Sequence, residues 1–120
     1  MTMQGQGDRA MQSRNAVMER GGAMVEALND LVALASDLRS QLKQAHWNTV
    51  GPNFIALHRL FDEQETIVLA HVDLYAERVR ALRGVARGTV RVAASESPLE
   101  EIGLGELWWR EAVEAILERF

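Results

Sequence analysis

The chain has 120 residues, 48% apolar and 25% charged, the balance of one globular domain rather than of a disordered or fibrous segment. It has no cysteine, which excludes a disulfide framework, a thiolate metal site and a cysteine nucleophile. A formal charge of -4 argues against a surface that is basic throughout, as nucleic-acid binding over the whole molecule would need.

Two prolines set against abundant Ala, Leu, Glu and Arg predict an all-α fold. Residues 1–22 are rich in Gln, Gly, Arg and Ser, lack an apolar period and end on Gly21 and Gly22, so they read as a mobile arm. The domain then spans 23–120. Leu28, Leu31, Val32, Ala35, Leu38, Leu42 and Ala45 recur at three- and four-residue steps, predicting a helix over about 23–50 that stops at Gly51 and Pro52. Asn53 is a suitable N-cap for a second helix over about 54–83, which contains neither Gly nor Pro. So short a turn between two long helices predicts an antiparallel hairpin.

Past Gly84 the pattern weakens, and 95–105 reads as a polar connector. Residues 106–120 are again helical, with Leu107, Trp108, Val113, Ile116, Leu117 and Phe120 apolar. The expectation is a bundle whose third helix is short and whose fourth is missing, leaving apolar surface for a partner to cover. No apolar run approaches the roughly 20 residues that cross a bilayer, and residues 1–10 hold no signal-peptide core, so the chain reads as cytoplasmic with no membrane partner.

Five candidate metal ligands stand in a regular layout: His46 near the end of the first helix, then His58, Asp62, Asp73 and Glu77 on the second. His58 with Asp62, and Asp73 with Glu77, are i, i+4 neighbours. Counted at 100° per residue from His58, the four lie at roughly 0°, 40°, 60° and 100°, on one stripe, whereas the apolar residues of that helix centre near 240°. Asp62 and Asp73 are about 16 Å apart along the axis, too far to share an ion. One chain therefore holds two half-sites, and two chains crossing antiparallel about Ile67 and Val68 would complete two identical sites. Two imidazoles with carboxylates suit Fe(II) or another first-row ion better than Ca or Mg, with zinc as a competitor. On a generic exposed helix the same spacing is a solvated charged face. His71, on the apolar stripe, reads as a packed core histidine.

From Leu28 to about Gly88 the sequence resembles the Dps family, the miniferritins that protect DNA during starvation. The resemblance rests on His46-Trp47-Asn48, Gly51-Pro52-Asn53-Phe54, Leu57-His58, Phe61-Asp62-Glu63-Gln64, Asp73 and Ala76-Glu77-Arg78. It implies a ferritin-like helical bundle, a homo-oligomer that is at least a dimer and by family a dodecamer, and a ferroxidase centre shared across a twofold axis. His46, His58 and Asp62 would come from one subunit and Asp73 and Glu77 from its neighbour, with Trp47 beside the centre to take up oxidising equivalents. The implied reaction is oxidation of Fe(II), preferably by hydrogen peroxide, with ferric iron sequestered.

DNA is a further candidate partner, placing the protein at the nucleoid. The arm offers Arg9, Arg14 and Arg20 against Asp8 and Glu19, and a denser run follows at Arg78, Arg80, Arg83, Arg87 and Arg91. Two rival readings are a nucleoid-associated DNA-binding protein and a truncated structural remnant, each with a residual metal site.

Overall fold

The computed structural model describes residues 3–120. The order of elements is α1 (Met3–Asn48), β1 (Thr49–Val50), α2 (Phe54–Ala81), α3 (Val90–Glu96), β2 (Leu107–Trp108) and α4 (Trp109–Arg119). The helix expected to start near Ala23 runs back to Met3, so the part of the expected arm within the described residues is helical. Outside its glycines that stretch is built mostly of Gln, Ala, Met, Arg and Glu, good helix formers that continue α1 without a core to pack on. The molecule measures 77 × 21 × 21 Å, and its radius of gyration is 20.5 Å. A compact domain of this length would have about 14 Å.

α1 and α2 form the expected hairpin, but the turn works differently from a side-chain cap. Asn53 takes a left-handed conformation, φ 66°, with no side-chain capping bond. Its carbonyl accepts from the Leu57 amide while the Phe54 amide donates to the Gly51 carbonyl. Asn tolerates this backbone better than most residues, so it serves here as a turn former. Gly51, φ 99°, is required for a second reason: a Cβ there would lie 2.6 Å from the Trp108 ring.

α2 ends in a Schellman arrangement with Arg83, not a glycine, in the left-handed position (φ 66°). Gly84 N donates to the Val79 carbonyl and Arg83 N to the Arg80 carbonyl. Gly84 itself is needed for closeness, since its Cβ would meet Val25 at 2.6 Å. The segment beyond it is clasped to α1 by two buried amides. Asn29 donates to the Val85 carbonyl and accepts from the Arg87 amide. Gln41 donates to Asp37 and to the Glu100 carbonyl, and its oxygen accepts from the Ile102 amide and the Arg119 guanidinium.

Within that segment α3 was not expected. It is capped by Thr89, whose hydroxyl accepts from the Val92 amide. The final helix starts at Trp109, later than expected, because Leu107 and Trp108 pair in parallel with Thr49 and Val50. The core gathers at this end: Leu38, Leu42 and Ala45 of α1, Phe61 of α2, Ile102, Leu107, and Ala112 and Ile116 of α4.

The buried line of α2 runs through Phe61, Glu65 and Val79. That is roughly 60° around the helix from the predicted apolar centre, because α1 packs on the side nearer the ligands. Leu60, Ile67 and Leu74 are left exposed, and so is His71, which is not a core histidine. Among the described residues no helix is long and apolar enough to cross a membrane.

Candidate metal centre

His46 lies in the last turn of α1 and His58 in the second turn of α2, so the hairpin turn brings the two rings together. They stack with centroids 3.7 Å apart and planes 20° apart. Each Nδ1 bonds across the hairpin to the other residue's backbone carbonyl, His46 to His58 at 2.5 Å and His58 to His46 at 2.8 Å. A carbonyl can only accept, so each Nδ1 carries the proton and donates it. The consequence is chemical: both Nε2 atoms hold a lone pair when the rings are neutral. Imidazoles that bind a metal ion are commonly oriented by such a bond from the opposite ring nitrogen. Phe54 leans on His58 with ring centroids 5.1 Å apart, restricting its rotation.

Asp62, one turn beyond His58, already has a cation. Lys43 Nζ of α1 approaches its Oδ1 to 2.6 Å. This hydrogen bond is the main reason that the Asp62 carboxyl is held below the ordinary carboxylate range and the Lys43 ammonium above the ordinary lysine range, desolvation of each acting the other way. The sign follows for each partner. The contribution of the lowered carboxylate is present above its ordinary pKa, about 4, and is lost as pH falls through the lowered value. That of the raised lysine is present below about 10.5 and is lost as pH rises through the raised value. Between those limits the pair is ionised. Lys43 also lies 4.0 Å from Glu65, a buried carboxylate whose closer partner is Arg39 at 3.0 Å.

Lys43, Glu65 and Arg39 were missed in the sequence. The available signal was spacing, with Lys43 one turn before His46 and Glu65 one turn after Asp62. Each partner lies on the other helix, however, and pairing across a hairpin needs a register that only packing sets.

Asp73 and Glu77 stand exposed further along α2, away from the histidines. Among the described residues no three potential ligands of one chain converge as a metal cage. Trp47, next to His46, is 63% exposed and walls a polar cleft of about 290 Å³ with Lys43, Gln44 and Glu101. The six candidate residues thus fall into a clustered set, His46, His58 and Asp62 with Trp47 adjoining, and a separate acidic pair.

A helical hairpin carrying imidazoles and carboxylates at its turn, extended by shorter helices, is the outline of one half of a ferritin-like bundle. Residues 25–120 match the model of the ferritin-like domain. The DNA protection during starvation protein of Agrobacterium fabrum is 36% identical over 97 residues, covering 81% of this chain and 60% of the relative. Among solved structures, a Dps protein from Bacillus brevis superposes with a TM-score of 0.77 at 32% identity, over 82% of this chain and 66% of that one. Dps92 of Deinococcus radiodurans superposes with a TM-score of 0.82 at 27% identity, over 84% and 61% respectively. The chain belongs to the ferritin-like family, on its Dps branch. It spans about 60% of the length of its Agrobacterium relative.

Proposed function

We propose that the chain oxidises and sequesters Fe(II) at a centre completed by a second copy, and that removal of reactive iron protects DNA. The observation that carries this reading is the reciprocal His46–His58 hydrogen bonding, which spends both Nδ1 protons on backbone carbonyls and leaves two Nε2 lone pairs uncommitted, with Asp62 one turn along α2 from His58. A purely structural histidine pair has no need to hold both outer nitrogens free.

His46, His58 and Asp62 supply one side of the centre. Asp73 and Glu77 of the partner subunit supply the other, from the same face of α2 one helical span away. Their carboxylates favour the extra positive charge that iron gains on oxidation. With hydrogen peroxide as oxidant the step balances as two Fe(II) giving two Fe(III). One O–O bond breaks, and two protons are taken up to form two waters. Lys43 holds Asp62 ionised and in place before iron arrives, and yields or shares that carboxylate as iron binds. Trp47, exposed beside His46, is positioned to accept an oxidising equivalent. Zinc, which suits the same donors, competes for the centre.

The test is peroxide-driven Fe(II) oxidation by wild type, His46→Ala and Asp73→Ala. Each variant should lose at least about tenfold in initial rate, as loss of a ligand or its support commonly does. Unchanged rates in both would return the histidines to a structural role.

A further inference from the structure

One turn from the histidines, α1 and α2 face each other through two cations and two carboxylates. Arg39 and Lys43 stand one turn apart on α1, and Asp62 and Glu65 one turn apart on α2. Lys43 Nζ lies 2.6 Å from Asp62 Oδ1, Arg39 Nε lies 3.0 Å from Glu65 Oε1, and Lys43 Nζ is also 4.0 Å from Glu65 Oε2. The four charges sum to zero. The two carboxylates differ in their surroundings, however. The Asp62 side chain is 48% exposed, whereas that of Glu65 is 7% exposed, with Oε1 taken by Arg39. Its Oε2 accepts no hydrogen bond among the described residues.

Asp62 cannot serve a divalent ion and an ammonium group equally well. An ion bound there places a double positive charge beside Lys43 Nζ, and like charges so close repel. The ammonium therefore has to leave Asp62, and a partly buried ammonium that loses its acceptor is costly. The nearest acceptor is Glu65 Oε2. From 4.0 Å, a shift of roughly 1 Å brings Nζ within hydrogen-bond range, and the flexible four-carbon stem of lysine allows it.

We infer that Glu65 is a positioning residue for the metal centre: it receives the Lys43 ammonium when a divalent ion takes Asp62, and gives it back when the ion leaves. The inference rests on the reading of His46, His58 and Asp62 as iron ligands. No covalent bond changes and no proton moves in the exchange. The two pairs, Lys43 with Asp62 and Arg39 with Glu65, become a triad of Arg39, Glu65 and Lys43 with the Asp62 carboxylate released to the ion. Arg39 fixes the acceptor, because holding Oε1 keeps Oε2 on the Lys43 side. Neither the empty nor the occupied centre then leaves a charge of this group unpaired.

Zinc binding to the full chain, followed by competition with a coloured chelator, tests this without turnover. Wild type, Glu65→Gln, Lys43→Met and the double variant complete a cycle. Lys43→Met should bind zinc more tightly than wild type, since no ammonium has to be moved. Glu65→Gln should weaken binding about tenfold, the worth of one charge-assisted hydrogen bond. In the Lys43→Met background the same substitution should change affinity by no more than about twofold, because Glu65 then has only its exposed partner Arg39 to lose. Equal losses in both backgrounds, or no loss in either, overturn the inference, since Glu65 then does not act through Lys43. His46→Ala separates this result from the reading beneath it. Zinc binding that ignores His46 removes the metal centre and the inference together, whereas an additive cycle at a His46-dependent site removes the inference alone. Should Glu65→Gln fail to fold, the zinc-loaded structure of the wild type decides. Lys43 Nζ within about 3.2 Å of Glu65 Oε2 supports the exchange, and Lys43 still on Asp62 or free in solvent overturns it.

Discussion

The turn end of the hairpin and the exposed apolar stripe of α2 are built of similar residues and behave oppositely. At the turn end Phe61, Leu42 and Ile116 are sealed by the connector and α4, and the polar groups that go inside, Gln41 and Thr49, have hydrogen bonds. Along the stripe Leu60, Ile67 and Leu74 reach the surface, and Gln64 lacks a partner for its oxygen. The difference shows where the chain completes its own packing and where it leaves apolar side chains uncovered. The candidate ligands straddle this division: His46, His58 and Asp62 lie at the turn end, Asp73 and Glu77 on the open stretch.

The largest expected effect is at the sealed end. Phe61 is 2% exposed, and Phe61→Ala should destabilise the fold by about 4 kcal/mol in denaturant unfolding. Leu74, 60% exposed, should tolerate Leu74→Ala with a change of only about 0.5 kcal/mol. Equal losses would mean that the two regions are packed alike. Next comes Gln41→Leu, which fits the space but leaves the Ile102 amide and the Glu100 carbonyl without partners. A loss of about 3 kcal/mol is expected, with faster hydrogen exchange at Ile102. The one expected gain is Arg83→Gly, of up to about 1 kcal/mol, because glycine occupies the left-handed position without steric cost. A loss there would show that the Arg83 side chain has a role of its own.

The hairpin, its turn and the candidate ligands were legible because each is a local signal. Seven apolar residues at helical spacing mark α1, Gly51-Pro52-Asn53 marks the turn, and two i, i+4 ligand pairs mark the face. What escaped depends on packing between elements. The face that α2 turns to α1 is set by the crossing of the two helices, so the buried line fell on Phe61, Glu65 and Val79 and left Leu60 and Leu74 outside. α3 is held by the Thr89 cap and by a connector clasped through Asn29 and Gln41, contacts 56 to 61 residues apart in sequence. Lys43 beside Asp62 belongs to the same category, an ion pair whose members lie 19 residues apart on opposing helices. The helix over residues 3–22 escaped for another reason. It has no apolar stripe to reveal it and continues α1 on propensity alone.

The most direct test of a centre shared between two copies is complementation. His46→Ala and Asp73→Ala, each inactive alone, are unfolded together, refolded as a mixture and assayed for peroxide-driven Fe(II) oxidation. In a mixed pair one of the two sites inherits both mutations and the other inherits neither, so random pairing should restore about a quarter of the wild-type rate. A mixture that stays as inactive as its parents, with mixed particles shown to have formed, would contradict a centre divided between two chains.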